Sequence, residues 1–173
     1  MGRILYDSIQ ATSHAEVVAV AEPNDRVGID GVSAYRDATQ LINAPEVDAV
    51  FICTPNSLNK PLTIQALKAG KHVFCEKPPA FNSDEIREII TVEENSPGLK
   101  LMYGLNHRHH DSMKKAKELV DSCVYGKILW MRGRYGKSVD SSFYKDWRSQ
   151  REIAGGGILM DQGIHMLDLF LMM

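Results

Sequence analysis

Residues 47–75 constrain the fold more than any other part of the chain. An apolar run from Val47 to Cys53 closes on Thr54-Pro55-Asn56. A helical stretch from Pro61 to Ala69 follows, with proline in its first turn and Gly70 just past its end, which is the expected asymmetry of helix ends. A second apolar run, Val73 to Cys75, then stops at Glu76-Lys77-Pro78. Two strands bracketing one helix read as a βαβ unit, whose strands lie parallel. The same alternation extends in both directions. An opening helix from Met1 to Gln10 carries Ile4, Leu5 and Ile9 on one side, and an apolar strand from Ala15 to Ala21 ends at Glu22-Pro23-Asn24. A short helix is expected from Asp37 to Asn43. Asn82 reads as the N-cap of another, with Glu85 completing a capping box, Phe81 and Ile86 placed as a staple, and Ile86, Ile89 and Ile90 as the buried stripe. Pro97-Gly98 breaks that helix before a strand from Leu101 to Leu105. Strands alternating with helices over about a hundred residues imply an α/β fold with a parallel sheet.

After Asn106 the pattern changes. Asp111 is placed to cap a helix reaching about Cys123, with Met113, Ala116, Leu119 and Val120 inward and Gly126 at its end. Residues 127–135 then alternate, with Ile128, Trp130, Arg132 and Arg134 on one side and Leu129, Met131 and Tyr135 on the other. That predicts an antiparallel strand with one wetter face.

Bulk numbers exclude more than they identify. The 173 residues are 44% hydrophobic and 24% charged with a net charge of −2, so nothing global points to nucleic acid. Residues 108–151 carry eleven Lys/Arg against five Asp/Glu, which reads either as a solvated face or as attraction for an anionic substrate or cofactor. Three cysteines without a C-x-x-C pair argue against a disulfide framework and fit a reduced, cytoplasmic setting. No apolar run approaches the ~20 residues of a membrane span.

The chemistry-bearing residues cluster in four places. Lys77 stands at the carboxyl end of a strand, where ligands bind in open parallel sheets. Glu22 ends the strand from Ala15 to Ala21; in a dinucleotide fold, an acid there bonds the adenosine ribose hydroxyls and repels a 2′-phosphate, favouring NAD over NADP. Gly2 reads either as the last glycine of a phosphate-binding loop, with Arg3 and Ile4 opening its helix, or as a start-site residue. The fourth is Gly155-Gly156-Gly157-Ile158-Leu159-Met160-Asp161-Gln162-Gly163-Ile164-His165. If a helix begins near Leu159, Asp161, His165 and Asp168 share one face. That stripe suits acid–base work; a capped helix with a core histidine and a metal site are the other readings.

Glu76-Lys77-Pro78, with Thr54-Pro55-Asn56 before it and the glycine run through His165 after it, resembles the Gfo/Idh/MocA family of NAD(P)-dependent oxidoreductases. The resemblance covers nearly the whole chain. It implies a Rossmann-like parallel-sheet domain over residues 1–108, followed over residues 109–173 by the start of an α+β domain with an antiparallel sheet. It implies hydride transfer between NAD and a hydroxyl-bearing carbon of a sugar, inositol or nucleotide-sugar derivative. Lys77, Asp161 and His165 become the catalytic set. Gly2, Arg3, Ile4, Glu22, Thr54, Pro55, Asn56, Glu76, Lys77, Asn106, Arg108, Trp147 and Arg148 become the cofactor side. A cis bond before Pro78, a small sugar-like substrate and a homo-oligomer are also implied; the local basic excess suits an anionic substrate, and no metal, nucleic-acid or membrane partner is expected. Asn59 stands where many members have histidine. The resemblance further implies an internal piece of a longer enzyme, lacking the first strand and most of the C-terminal domain and inactive alone. An NAD-dependent glycosidase of the same fold and a non-catalytic dinucleotide-binding protein are the alternatives.

Overall fold

A computed structural model describes residues 2–23, 29, 31–136 and 138–173. The Asn24 end of the first expected turn and the Met1 start of the first helix lie outside the described residues. The chain divides into two compact units, Met1–Tyr103 and Gly104–Met173.

The first unit runs α1 (Gly2–Gln10), β1 (Ala19–Ala21), β2 (Ser33–Tyr35), α2 (Ala38–Ile42), β3 (Ala49–Ile52), α3 (Asn59–Lys68), β4 (His72–Cys75), α4 (Ser83–Glu94) and β5 (Leu101–Tyr103). Every strand pairing is parallel, as the alternation requires. The strands form two sheets, β1-β2 and β3-β4-β5. In the larger sheet Ile52 stands opposite Cys75, and Cys75 opposite Tyr103. The inner face of that sheet is the core: Val50, Ile52, Val73 and Cys75 are buried with Ile42, Val47, Ala66 and Leu67 from the helices and loops around them. The other face carries Phe51, Phe74 and Met102 in one row across the three strands, with the two phenyl rings stacked at 5.4 Å. Phe51 and Met102 remain exposed.

Local chemistry explains the element ends. Gly70 has φ +76°, a conformation that costs glycine little, and it turns the chain out of α3 into β4. The Lys71 ammonium donates to the Ala44 and Val47 carbonyls, tying the start of β4 to the loop before β3. Asn82 caps α4 by accepting from the Asp84 and Glu85 amides. The return bond of the box is displaced by one residue, since Glu85 accepts from the Phe81 amide at 2.8 Å. Ile89 is buried, but Ile90, expected in the same stripe, is exposed. β1 begins at Ala19 rather than Ala15, and β2 is a strand that the sequence pattern did not announce.

The second unit holds α5 (Asp111–Asp121), two 3₁₀ turns (Phe143–Lys145 and Trp147–Ser149), α6 (Arg151–Ala154), a π-helical turn (Leu159–Gly163) and α7 (Ile164–Met172). Asp111 lies in the first turn of α5, one residue inside the cap position, and accepts from Lys114. The strand expected over residues 127–135 does not form: among the described residues of this unit no second strand stands beside it to complete a ladder. Leu129 and Trp130 are 92% and 74% exposed there, so neither side of the alternation is packed away. The segment does touch α7 at Gly133, where a Cβ would stand 2.8 Å from the Met166 sulfur and 3.0 Å from the Phe170 ring. No helix among the described residues is long and apolar enough to cross a membrane.

Candidate functional site

In the first unit the site residues gather where the strands of the larger sheet end. β3 runs into Thr54-Pro55-Asn56, and a 3₁₀ turn over Asn56–Leu58 leads directly into α3. β4 runs into Glu76-Lys77-Pro78, with a cis bond between Lys77 and Pro78 as the resemblance implies. Because β3 and β4 are parallel and adjacent, both turns lie at the same edge of the sheet.

Asn59 fastens those two turns together. Its side chain is wholly buried. The amide donates to the Glu76 carbonyl at 3.1 Å and to the Pro78 carbonyl at 2.8 Å. Its oxygen faces the Thr54 hydroxyl, which donates at 3.4 Å. Lys77 is therefore bracketed by two residues whose carbonyls are held by one side chain. The sequence marks Asn59 only as a departure from a family pattern. Its role shows once α3 is known to start there, with the side chain turned toward the neighbouring strand end.

Electrostatics at this edge follow from partial burial. Desolvation raises the Glu76 carboxyl above its ordinary range, against the opposing pull of the Lys77 amide and ammonium. Burial, with Glu76 nearby, pushes the Cys53 thiol up to about 11 and Cys75 up to about 12. Cys75 is a buried core thiol, as its place in an apolar run implies, whereas Cys53 is half-buried at the end of β3.

Gly2, Arg3 and Ile4 form the exposed first turn of α1, where Arg3 pairs with Asp7. A Cβ on Gly2 would stand 3.9 Å from the Cys53 Cβ, so the start of α1 lies against the carboxyl end of β3. A helix N-terminus beside a strand-end turn is an arrangement that suits phosphate. Glu22 follows β1 directly, and its amide donates to the Tyr35 carbonyl, extending the β1-β2 ladder by one bond. These positions fit a dinucleotide: an acid after one strand, and a helix start beside the turn after another.

In the second unit, Gly155 ends α6 with φ +81°, a left-handed cap that lets the chain reverse into the π turn. Asp161 lies in that turn and His165 in the first turn of α7. Single π turns of this kind occur often at functional sites. His165 and Asp168 are buried, while Asp161 is half-buried and accepts from the Gln162 amide at 2.9 Å.

Asn106 and Arg108 belong to a 3₁₀ turn, Asn106–His109, that contacts α7. Arg108 donates through Nε to Asp168 at 2.6 Å and through Nη2 to the other carboxylate oxygen. This bidentate contact raises the Arg108 pKa further and occupies a guanidinium expected on the cofactor side. The His107 ring lies flat against His165, centroids 4.1 Å apart. Trp147 and Arg148 sit in their own 3₁₀ turn, capped by Asp146, with the guanidinium carbon 4.4 Å over the indole. Among the described residues no group of His, Cys, Asp or Glu is arranged to hold a metal.

Comparison with known proteins follows the same division. The model of the oxidoreductase family with an NAD-binding Rossmann fold matches residues 1–105, and the GFO/IDH/MocA C-terminal domain matches residues 113–173. Levoglucosan dehydrogenase of Pseudarthrobacter phenanthrenivorans is 32% identical over 86% of the chain and 38% of its own length. The 1,5-anhydro-D-fructose reductase of Ensifer adhaerens is 35% identical over 93% of the chain and 46% of its own length. A crystal structure of scyllo-inositol dehydrogenase from Lactobacillus casei with bound NAD(H) and scyllo-inositol superposes with a TM-score of 0.84 at 29% identity, covering 99% of this chain and 52% of that one. The chain thus spans about half the length, or less, of the relatives it matches. With a parallel-sheet unit whose β4 runs into Glu76-Lys77-Pro78, a second unit carrying Asp161 and His165, and matches along both, the chain belongs to the Gfo/Idh/MocA oxidoreductase family.

Proposed function

We propose that the whole protein transfers a hydride between NAD and a hydroxyl-bearing carbon of a sugar, inositol or nucleotide-sugar derivative. The observation that carries this reading is Lys77, set beyond β4 at the sheet edge and bracketed by the two carbonyls that Asn59 holds. The relatives' names support the substrate class: levoglucosan, an anhydro-sugar and scyllo-inositol are all polyols or sugars. The first unit acts as the cofactor domain and the second as the start of the substrate domain. The basic excess over residues 108–151 suits a substrate with negative charge. A cytoplasmic homo-oligomer completes the reading, in keeping with three free cysteines.

Glu22 would hold the ribose hydroxyls and disfavour a 2′-phosphate. Thr54, Pro55, Asn56 and Glu76 would line the cofactor, with the start of α1 toward its phosphates. Bound nicotinamide supplies the hydride acceptor. His165 takes the hydroxyl proton, a role that suits imidazole near neutral pH. Lys77 donates to the same oxygen and stabilises the charge that develops on it. Asp161 orients the substrate or His165.

The test is NADH formation by the full-length protein against a panel of inositols and sugars. Lys77→Ala and His165→Ala should each lower kcat by about 10²–10⁴-fold. Glu22→Ala should weaken NAD and narrow its advantage over NADP. Release of free sugar without NADH accumulation would favour an NAD-dependent glycosidase. Cofactor binding without turnover on any polyol would favour a non-catalytic protein. Equal use of NAD and NADP by the unmutated protein would remove Glu22 from the ribose.

A further inference from the structure

We propose that His107 is a positioning residue that keeps His165 uncharged, and so able to accept a proton, by lying flat against it; the inference rests on the reading of His165 as the base. The two rings stack at 4.1 Å with an interplanar angle of 19°. In that geometry each imidazole presents its face to the other. The in-plane nitrogens, which carry the lone pair and the N–H, do not aim across the stack, so the pair does not pass a proton directly. What one ring does to the other is electrostatic and steric.

The order of protonation follows from burial. His165 is 5% exposed, whereas His107 is only partly buried. Desolvation penalises the charged form more strongly at the deeper ring, so the first proton goes to His107. A second positive charge on His165 then stands about 4 Å from the first. At dielectrics between those of bulk water and a protein surface, repulsion at that distance moves a titration by about one to three pH units. His165 therefore stays neutral to lower pH than it would alone.

From the turn over Asn106–His109, Arg108 adds a cation beside His107, but it is spent on Asp168. Asp168 lies three residues after His165 on α7, and its charge is balanced by that guanidinium. His110 meets His107 edge-on at 5.5 Å. Tyr135 meets His107 edge-on at 5.3 Å and His165 at 6.3 Å, bringing an aromatic edge rather than a formal charge. Asp161, in the π turn, accepts from Gln162. The Arg108–Asp168 contact also holds the turn bearing His107 against α7, which keeps the stack in register.

The experiment is a ring titration of His165 by NMR on the isotopically labelled 173-residue chain. His107→Phe keeps a flat ring without a titratable nitrogen, and His107→Gln serves as a second uncharged variant should the larger ring disturb packing. In both, the His165 midpoint should move to higher pH by about one unit or more. In the full-length enzyme the acid limb of the pH–rate profile should move up by the same amount, with KM and the high-pH kcat within about twofold of the parent. A His165 midpoint in both variants within about 0.3 units of wild type overturns the electrostatic half of the proposal. Undiminished turnover in His165→Gln overturns its functional half.

Discussion

At the scale of single residues, burial decides which side chains hold the site and which only fill space. Asn59 is the clearest holder. Replacing it with leucine keeps the branched shape but strips the two donors from the Glu76 and Pro78 carbonyls. Each buried acceptor left unpaired costs about 1–3 kcal/mol, so Asn59→Leu should lose about 2–6 kcal/mol in chemical denaturation. A loss under about 1 kcal/mol would show that the two carbonyls find other partners. Of the cysteines, Cys75 fills the core, Cys53 is half-buried and Cys123 is exposed. Thiolate is the reactive form, and burial holds Cys53 near 11 and Cys75 near 12. At about pH 8 the thiolate fraction of Cys53 is on the order of a thousandth, and that of Cys75 lower still. Iodoacetamide under native conditions should therefore mark exposed Cys123 first and Cys75 last, with Cys53 between them, as peptide mass spectrometry would read. Early labelling of Cys75 would show that the β4 face opens readily.

At the scale of elements, what was legible in the sequence was whatever is encoded within a few residues. The Asn82 cap is one such signal, and Asn82→Ala should cost about 1 kcal/mol in thermal or denaturant unfolding. An unchanged midpoint would mean that the α4 start is held by Glu85 and the Phe81 amide instead. The βαβ unit around Lys77 was legible for the same reason: apolar runs, an early proline and a closing glycine are all local. Ser33–Tyr35 was not, because a three-residue strand with two exposed positions carries no apolar run, and only pairing with β1 makes it a strand. Residues 127–135 show the converse. Their alternation is real, but a strand is defined by a partner, and the described part of the second unit provides none. The stripe of Asp161, His165 and Asp168 was read at helical spacing. Two of the three, His165 and Asp168, are buried on α7, and Asp161 lies half-buried in the π turn before it. Neither the His107 stack nor the Arg108–Asp168 contact was legible, since each joins residues more than fifty positions apart.

At the scale of the whole molecule, the two units are unequally built. The first encloses a cluster of buried apolar side chains from β3, β4, α2, α3 and the loops between them. In the second, the buried apolar side chains among the described residues are Ala154 and Leu169, and the other buried groups are Gln162, His165 and Asp168. Apolar burial contributes roughly 25 cal/mol per Å² removed from water, so the first unit has much the larger share of that stabilisation. Backbone protection should divide the same way, because amides exchange through local openings whose cost tracks buried contacts and ladder hydrogen bonds. Hydrogen exchange of the 173-residue chain should show β3, β4 and α3 as the slowest segments. Residues 124–136 should exchange within the shortest labelling time, since no strand or helix pairs their backbone and Val124, Tyr125, Leu129 and Trp130 lie open to solvent. α7 should fall between, slowed by the Arg108–Asp168 contact and by the approach of Gly133. Arg108→Ala should then speed exchange in α7 while leaving β4 unchanged. Equal protection across both units would mean that they unfold as one cooperative body, and that the sparse apolar burial of the second unit is not what limits its stability.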